Sequence, residues 1–447
     1  MEFQAIVLAG GHGSRFDTLT TNCPKCLLPI GNKPMIWYPV RMLEKAGFTD
    51  INIITFETIK GKVESELKSH GIKSSLNIVG IKDNSDDEEF GTAYSLKLLK
   101  DKITKDCIIV SCDLITNLCL QKMANFYRVN NASFVMHLSD SGLPSSELLV
   151  PGSREKYTPG LFGKRDLIAL DTEKNRVLYF TVQEDIDELT IRTSVLQKFP
   201  KFVWTNRLQD SHLYFIKKWL IDYIIDNNKI FYLKSDFVPF ICKKQFSRCH
   251  KHQKETDHEN NQASKKLSIF DYVKQDDFGF LMNRSLLKHP ISCFAFIQAD
   301  GFCLRTNNLP IYAEANRQIM GKIMPHFQRE RTESVSKQDR SQVSSDSIIG
   351  EGTAIGEKTT IKRSVIGKNC KIAKNCKIIN SILMDNVQVA EGVILQGTII
   401  CANSKINQKS EFKDCVVSYD QDIITAGKYS NETIKDVESF IEDSDSD

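Results

Sequence analysis

The sequence predicts two successive units, a doubly wound α/β domain with a mostly parallel sheet and a left-handed parallel β-helix. Short apolar runs alternate with longer helical stretches from Phe3 to about Leu233, as in parallel sheets that helices cover on both faces. From Ser347 onward, an aliphatic residue recurs about every six positions. The first pattern indicates alternating strands and helices, and the second indicates stacked coils.

Four apolar runs in the first unit have the composition of buried parallel strands. They are QAIVLA, INIITF, LNIVGI and CIIVSCD, each continuous and rich in isoleucine or valine. The stretches between them, such as Met35 to Gly47 and Gly61 to His70, carry apolar residues at helical spacing. This alternation predicts the doubly wound sheet.

The second unit carries a hexapeptide repeat, in which three repeats form one coil and the aliphatic side chains stack inside. Gly350, Gly356 and Gly367 each follow an isoleucine, where we expect tight corners. The five-residue step from Ile361 to Ile366 makes the period imperfect. A β-sandwich would also contain short strands, but at spacings of about eight to twelve residues. The first aliphatic run consists of Ile349, Ile355, Ile361, Ile366, Ile372 and Ile378.

Composition shifts predict the boundaries of these units. We expect the α/β domain at 1–326, a linker at 327–346, the β-helix at 347–430 and an acidic disordered tail at 431–447. The polar stretch 247–266 interrupts the first domain and predicts a flexible surface loop. Its cysteine and histidines fit no standard zinc spacing. In the tail, Ser444 and Ser446 are candidate sites for an acid-directed kinase, although the composition favours a plain solubilising tail.

The composition excludes several classes of protein. The 447 residues carry 59 basic and 56 acidic side chains, a net charge of +3, which argues against a dedicated nucleic-acid or anionic-membrane binder. The 13 cysteines are scattered, as in reduced intracellular proteins, and the lone Cys23/Cys26 pair has no second pair for a zinc site. The start MEFQAIVLAGG is not a signal peptide. We therefore expect a cytosolic protein.

The glycine-rich turn LAGGHGSR directly follows the first predicted strand and is typical of phosphate binding. Glycine has no Cβ, so the backbone N–H groups of Gly10, Gly11 and Gly13 can approach an anion closely. Arg15 and Lys25 would supply positive charge. A structural explanation is also available, because glycines can simply turn the chain.

Four motifs together resemble those of the sugar-phosphate nucleotidyltransferases. They are LAGGHGSR, PKCLLPIGNKPMI at 24–36, FGTA at 90–93 and SCDL at 111–114. The resemblance implies a nucleotidyltransferase-like sheet and assigns a nucleoside triphosphate to the glycine turn and a magnesium ion to the aspartate. In this chain the implied nucleotide-binding residues are Gly10, Gly11, Gly13, Arg15, Lys25, Gly91 and Asp113. Asp113 could alternatively cap the following helix.

The catalytic half of that pattern is altered at two positions. Active members of the family place a second metal-binding aspartate shortly before a helix that is recognisable here as YAEANR, 312–317, and the corresponding position is Arg305. A guanidinium has no lone pair with which to bind magnesium. Where those enzymes use a lysine to bind the sugar phosphate, VQEDID places Asp185, so that attraction becomes repulsion. We therefore expect no catalytic residues, no bound metal and no cofactor.

Longer stretches resemble the family of gamma subunits of eukaryotic translation initiation factor 2B. Examples are NKPMIWYPVRMLEKAGF at 32–48, DSHLYFIKKWLIDY at 210–223 and IGEKTTIKRSVIG at 355–367. The resemblance implies a non-catalytic subunit that pairs with the epsilon subunit and the other subunits of that complex during GDP-to-GTP exchange on translation initiation factor 2. It implies no direct contact with nucleic acid or membrane. The alternatives are a mannose- or glucose-1-phosphate nucleotidyltransferase, or the regulatory subunit of one.

Overall fold

The computed structural model describes residues 2–82, 91–139, 151–153, 166–182, 191–247, 268–276, 291–298, 301–319, 336–337, 341–424 and 426–435. The first unit contains strands β1 to β14 and eight α-helices within these ranges. The strands are Gln4–Leu8, Pro29–Ile30, Lys33–Pro34, Asp50–Phe56, Ser75–Ile81, Cys107–Ser111, Leu114–Thr116, Phe134–Ser139, Asp166–Asp171, Val177–Val182, Phe202–Thr205, Gln209–Ile216, Cys293–Ile297 and Cys303–Arg305. The helices α1 to α8 are Trp37–Lys45, Lys60–Ser69, Leu120–Val129, Thr193–Lys198, Lys218–Asp226, Val238–Lys244, Ile269–Asp276 and Leu309–Gln318.

A seven-stranded sheet forms the centre of this unit, in the order β13-β8-β12-β6-β1-β4-β5. The four predicted apolar runs are β1, β4, β5 and β6, which pair in parallel. Strand β12 pairs antiparallel with both β6 and β8. The prediction of a mostly parallel sheet is therefore confirmed. Apolar side chains pack on both faces of the sheet, as the continuous apolar character of its strands requires.

Smaller sheets lie beside the central one. Strands β10, β9 and β11 form an antiparallel sheet in that order, and β14 pairs antiparallel with β7. Strands β2 and β3 form a short hairpin across Gly31 and Asn32. The pairing of β14 with β7 places the residues before α8 next to the carboxyl end of β6.

The second unit is a β-helix of three six-stranded parallel sheets. Its buried aliphatic residues recur regularly, since Ile349 pairs with Ile366 and Ile366 with Leu383 in the next coil. From Ile349 onward each coil contains 17 residues, as steps of six, six and five, whereas the first coil has partners 18 residues apart, as in the pair Gln342 and Thr360. The five-residue step therefore recurs in each coil that follows Ile349. The strands β15 to β32 are Ser336–Lys337, Gln342–Val343, Ile348–Ile349, Ala354–Ile355, Thr360–Lys362, Val365–Ile366, Lys371–Ile372, Lys377–Ile379, Ile382–Leu383, Gln388–Val389, Ile394–Gln396, Ile399–Ile400, Lys405–Ile406, Glu411–Lys413, Val416–Val417, Asp422–Ile423, Lys428–Ser430 and Thr433–Ile434.

The corners of the β-helix differ from the expectation. Gly350, Gly356 and Gly367 do not have positive φ angles. Glycine is needed there because the next coil passes too closely; a Cβ on Gly350 would lie 2.4 Å from the carbonyl oxygen of Gly367. The residue found most often at the left-handed corner positions is asparagine, for example Asn369 and Asn386, which tolerates positive φ.

The β-helix extends beyond its predicted limits at both ends. Strands β15 and β16 lie inside the segment expected to be a linker, and they pair with β18 and β19. Strand β32 lies inside the segment expected to be the tail, and it pairs with β29. The backbone of the first and last coils continues the ladder even where the aliphatic repeat is weak, which is why composition alone misplaced both boundaries. The loop predicted at 247–266 lies almost entirely outside the described residues.

One face of the β-helix packs against the α/β domain. Val365, Ile382, Ile399 and Val416 point outward from the third sheet, yet they are buried in the core of the first domain. The hydroxyl of Tyr419 donates a hydrogen bond of 2.9 Å to the carbonyl oxygen of Leu19. None of the described helices is long and apolar enough to cross a membrane.

Candidate functional site

Asp113 lies just beyond the carboxyl end of β6, where ligands of parallel α/β sheets usually bind. Its side chain is 1% exposed. The backbone N–H and the hydroxyl of Thr306 both donate to the carbonyl oxygen of Asp113 at 2.9 Å. These hydrogen bonds, together with the pairing of β7 and β14, connect the end of β6 to the turn that leads into α8.

Lys25 contacts Asp113 directly. Its Nζ donates to Oδ2 of Asp113 at 2.7 Å and to Oδ1 of Asn307 at 3.1 Å. Nζ of Lys25 also lies over the ring of Phe16, 5.8 Å from its centroid. The ammonium group of Lys25, which the motif predicts to bind a triphosphate, is thus paired with the buried carboxylate of Asp113.

Arg305 also lies beside Asp113, because it ends β14 opposite Leu114 of β7. Its Nε is 3.5 Å from Oδ1 of Asp113. The position at which nucleotidyltransferases would place a second aspartate therefore holds a cation next to the first aspartate. Each carboxylate oxygen of Asp113 lies next to a different basic side chain.

These cations control the protonation of Asp113. Burial alone would raise the pKa of its carboxyl group, but the charges of Lys25 and Arg305 and the hydrogen bond from Lys25 outweigh burial. The pKa of Asp113 is consequently held well below its usual range, so the carboxylate stays ionised and neutralised by its neighbours.

Magnesium is the ion that the motif pattern implies for Asp113. Magnesium requires several oxygen ligands in octahedral geometry and is repelled by neighbouring cations. Asp113 offers carboxylate oxygens, but Lys25 and Arg305 already contact them. Within the part of the chain that the structure describes, no three acidic, histidine or cysteine side chains are grouped to bind a metal. The residues at this site do not fit magnesium.

The glycine-rich turn connects β1 to the segment that carries Lys25. Two of its glycines have a packing reason: a Cβ on Gly10 would lie 2.7 Å from Ile81, and one on Gly13 would lie 2.9 Å from Cβ of Lys25. Gly13 also has a φ of 80°. Gly11 has no atom within 4 Å of its would-be Cβ, and both Gly11 and Arg15 are exposed.

Gly91 is placed by packing as well. A Cβ at this position would lie 2.1 Å from the carbonyl oxygen of Phe231, which accepts a hydrogen bond from the N–H of Ala93. The last of the predicted site residues, Asp185, lies outside the described residues. The structure thus brings Asp113, Lys25 and Arg305 together, with the glycine turn leading into Lys25.

A buried ionic cluster next to this site was missed by the sequence analysis. Its members lie on β9, on β12 and in the turn just before α6. Burial raises the pKa of Asp210 to about 6, although the charge of Lys234 lowers it. Lys234 Nζ is 2.9 Å from Oδ1 of Asp166, and the hydroxyl of Tyr214 donates a hydrogen bond to Oδ2 of Asp210. His212, which sits in a bulge with a φ of 55°, is buried; burial holds its pKa well below the usual value.

One signal in the sequence could have revealed this cluster. The first half of β12 is polar, with DSH preceding the apolar run LYFI, and a polar group buried in a strand needs a partner. The N–H of Asp210 donates to Asp166 at 3.1 Å, and the N–H of His212 donates to Asp210 at 3.0 Å. Lys234 offsets part of the negative charge of Asp166 and Asp210, and β12, which carries Asp210, contacts β14, which carries Arg305.

Two family models match the chain. Residues 4–144 match the model described as nucleotidyl transferase, and residues 328–427 match the model described as the EIF2B subunit epsilon LbH domain. These matches agree with the two units of the fold. The second match begins at 328, close to the early start of the β-helix in the structure.

Curated relatives match over longer ranges. The translation initiation factor eIF2B subunit gamma of Schizosaccharomyces pombe is 32% identical over 448 residues, covering 100% of this chain and 92% of that protein. The Caenorhabditis elegans protein of the same name is 33% identical over 247 residues, covering 55% of this chain and 59% of that protein. The mannose-1-phosphate guanyltransferase of Saccharomyces cerevisiae is 27% identical over 220 residues, covering 46% of this chain and 57% of that enzyme.

The guanyltransferase similarity is thus confined to less than half of the chain, whereas the gamma-subunit similarity extends through both units. An identity of 32% across the whole chain, with both units matched in the same order, is the stronger relationship. The chain therefore belongs to the family of eIF2B gamma subunits.

Proposed function

We propose that this chain is a non-catalytic, cytosolic subunit of the eIF2B guanine-nucleotide exchange complex. It pairs with the epsilon subunit and supports that subunit during GDP-to-GTP exchange on eIF2. The main support for a non-catalytic role is that Lys25 and Arg305 neutralise the charge of Asp113. The relationship to gamma subunits carries the assignment to the complex.

Phosphoryl transfer needs cations that are free to act on the transferred phosphate. Catalysis in such enzymes comes mainly from positioning and from neutralising charge that develops in the transition state. Here the carboxylate that would hold a metal is paired with Arg305, and the lysine that would contact the triphosphate is paired with Asp113. The two groups neutralise each other, which supports the loss of the transferase reaction.

The β-helix offers surface for a partner subunit. Its third sheet is buried against the α/β domain, and the outward residues of the other two sheets are mostly exposed, such as Lys371, Lys405 and Lys377. Permanent complexes often bury about 2,000 Å2 or more. Two long exposed faces support the proposal that this subunit contributes a structural surface.

The glycine turn supports a second, smaller proposal. Gly11 leaves its backbone open and Arg15 is exposed beside it, so the turn could hold a nucleoside triphosphate as a ligand that does not react. Equilibrium dialysis of the magnesium-free chain with GTP and ATP tests this. Binding that Arg15→Ala weakens would support the proposal, and equal retention by both chains would contradict it.

The experiment that tests the main proposal is a purification followed by an exchange assay. The tagged chain, isolated at native expression in moderate salt, should recover an epsilon-type subunit and eIF2. Adding the chain to the purified epsilon subunit should then increase GDP release from eIF2. Recovery of the chain alone, or with an active sugar-nucleotide transferase, would contradict the proposal.

A second assay tests the loss of chemistry. The chain should release no pyrophosphate above blank from any nucleoside triphosphate with mannose 1-phosphate or glucose 1-phosphate. The double variant Arg305→Asp with Asp185→Lys should gain magnesium binding, measured by calorimetry, whereas the surface variant Arg207→Asp should not. If the double variant binds no magnesium, these two positions do not explain the inactivity.

A further inference from the structure

Charge is distributed unevenly along the β-helix. Residues 380–435 contain five basic and seven acidic side chains, whereas residues 354–379 contain seven basic side chains and one acidic side chain, that of Glu357. The seven basic residues are Lys358, Lys362, Arg363, Lys368, Lys371, Lys374 and Lys377. The early coils therefore concentrate positive charge within a chain whose net charge is only +3.

Five of these lysines lie close together where the first sheet of the β-helix, β15-β18-β21-β24-β27-β30, turns into the second. Ile372 and Ile378 point into the β-helix core, so Lys371 of β21 and Lys377 of β22, which precede them, point outward. Strand β22 pairs with β19, which ends at Lys362, and the turns between the two sheets carry the remaining two lysines. All five are exposed. We call Lys358, Lys362, Lys371, Lys374 and Lys377 the basic patch.

The basic patch is largely unpaired among the residues that the structure describes. Lys374 pairs with Glu391 across 3.5 Å, and the other four lysines take part in none of the described ion pairs. Later in the β-helix, by contrast, Lys405 pairs with Asp422 across 3.5 Å. Like charges held together on a rigid surface repel one another, and an anion that binds among them relieves this repulsion.

An open groove of about 580 Å3 runs along the outer face of the first sheet, and Lys371 of the basic patch lines it. The lining also includes the small side chains of Ala373 and Ala390, which leave room for a main chain to approach the sheet. Lys371 is in register with Gln388, and Gln388 with Lys405, so the two lysines of the groove lie two strands, or about 10 Å, apart. This combination fits an extended polypeptide that carries carboxylates.

The observations favour a protein over a nucleic acid as the bound anion. Among the described residues, the outward positions of the first two sheets carry no aromatic side chain, on which the bases of a single strand would stack. Glu357 and Glu391 lie in the turns beside the basic patch and would repel a continuous phosphate backbone. A polypeptide can place neutral residues opposite these two glutamates and carboxylates opposite the lysines.

We propose that the basic patch and the adjoining groove bind an extended acidic segment of a partner polypeptide. In an extended segment, alternate side chains face the same way about 7 Å apart, so aspartate or glutamate at every second position can meet successive lysines. This inference rests on the proposed role of the β-helix as a surface for a partner, and it adds the chemistry of that partner. Complementary charge of this kind mainly accelerates association and selects the partner.

Fluorescence polarisation of a fluorescein-labelled octaglutamate peptide tests the basic patch on the full chain. The β-helix offers a matched control, because Lys409 and Lys413 occupy the same coil positions as Lys358 and Lys362, three coils later. Lys358→Glu with Lys362→Glu should weaken binding about tenfold or more, since two attractions become repulsions. Lys409→Glu with Lys413→Glu changes the net charge equally and should weaken binding less than about twofold, because it changes charge only outside the patch.

A second pair of variants separates the groove from charge alone. Ala390→Phe would fill part of the groove without changing the net charge and should weaken octaglutamate binding about threefold or more. Gln396→Phe places the same side chain on the second sheet, outside the groove, and should leave binding unchanged. Circular dichroism spectra of all four variants should match that of the unaltered chain, since every substituted side chain is at least partly exposed.

Three outcomes would overturn the proposal. Absent binding, or equal weakening by the two lysine pairs, would show that the basic patch has no specific affinity for carboxylates. Tighter binding of an octauridylate RNA, lost with Lys358→Glu and Lys362→Glu, would assign the patch to a nucleic acid. A chain ending at Lys435 that binds octaglutamate about tenfold more tightly than the full chain would show that residues 436–447 already occupy the patch.

These measurements are separate from the test of the proposed function. None of them includes the epsilon subunit or eIF2, so a negative result would leave the purification and the exchange assay unaffected. Conversely, octaglutamate binding that depends on the basic patch would stand even if the chain were recovered without an epsilon-type subunit.

Discussion

The β-helix and the Asp113 site satisfy their buried side chains in opposite ways. In the β-helix, hydrogen-bonding partners such as Ser381 and Ser364 are 17 residues apart, one coil along the chain. At the site, Lys25 is 88 residues from Asp113 and 282 residues from Asn307. The first arrangement repeats a local rule, whereas the second depends on three distant segments meeting at one point. A substitution in the β-helix should therefore act through packing, and one at the site should act through charge.

The largest effect is expected inside the β-helix. Phe412 is fully buried, and its ring stacks on that of Tyr429 with centroids 4.7 Å apart. Phe412→Ala should lower the free energy of unfolding by about 3–5 kcal/mol, measured by urea denaturation, because it removes a large apolar side chain and leaves a cavity. Ile394→Ala, on the exposed side of the same sheet, is the control. Similar losses in the two variants would contradict the packing shown here.

The next effect concerns the buried charge of Asp113. Asp113→Ala leaves Lys25 and Arg305 facing each other without a counter-charge and should lower the free energy of unfolding by about 3 kcal/mol. Asp422→Ala removes one partner of an exposed ion pair with Lys405 and should cost less than about 0.5 kcal/mol. Equal losses would mean that the Asp113 site is hydrated like the surface.

Glycine substitutions separate packing from ligand binding. Gly91→Ala should lower the free energy of unfolding by about 2 kcal/mol in the absence of nucleotide, because its Cβ would lie 2.1 Å from the carbonyl oxygen of Phe231. Gly11→Ala meets no neighbouring atom and should leave stability unchanged. A destabilised Gly11→Ala chain together with an intact Gly91→Ala chain would reverse the assignment of the two glycines.

The smallest effect is a dependence on pH. Burial lowers the pKa of His137 to about 4, while the unfolded chain should titrate near the ordinary value of 6.5. The unfolded state therefore binds the proton first as pH falls, so stability is lost below 6.5. The loss from His137 should reach about 1.4 kcal/mol near pH 5.5.

A non-titrating variant tests the origin of that loss. Nδ1 of His137 lies 2.8 Å from Oγ of Ser211, and the amide of His137→Asn can take over this hydrogen bond. Urea denaturation of both chains between about pH 5 and 8 should give a flatter dependence for the variant. Parallel profiles would assign the acid sensitivity to other groups.

How much the sequence predicts also differs between the two regions. The strands β1, β4, β5 and β6 and the coils of the β-helix follow from local patterns, since apolar runs and repeats are properties of neighbouring residues. The six-residue period is local, whereas the recurrence of the five-residue step follows from the register of successive coils.

The site was only partly predictable for the same physical reason. Motif spacing located Asp113, Lys25 and Arg305, because a known pattern already linked them. No local pattern links Asp166, Asp210 and Lys234, which meet through tertiary packing alone. Gly91 was predicted to face a nucleotide, and only the path of the Phe231 backbone supplies its packing role.

The burial of one whole β-helix face against the α/β domain has a thermodynamic consequence. A free-standing solenoid can lose its terminal coils one at a time, because each coil contacts only its neighbours. Here Val365, Ile382, Ile399 and Val416, on four successive coils, share a core with the first domain. Losing any one of these coils would expose part of that core. The two units should therefore unfold together in one cooperative transition. The β-helix should not lose its coils separately from the α/β domain.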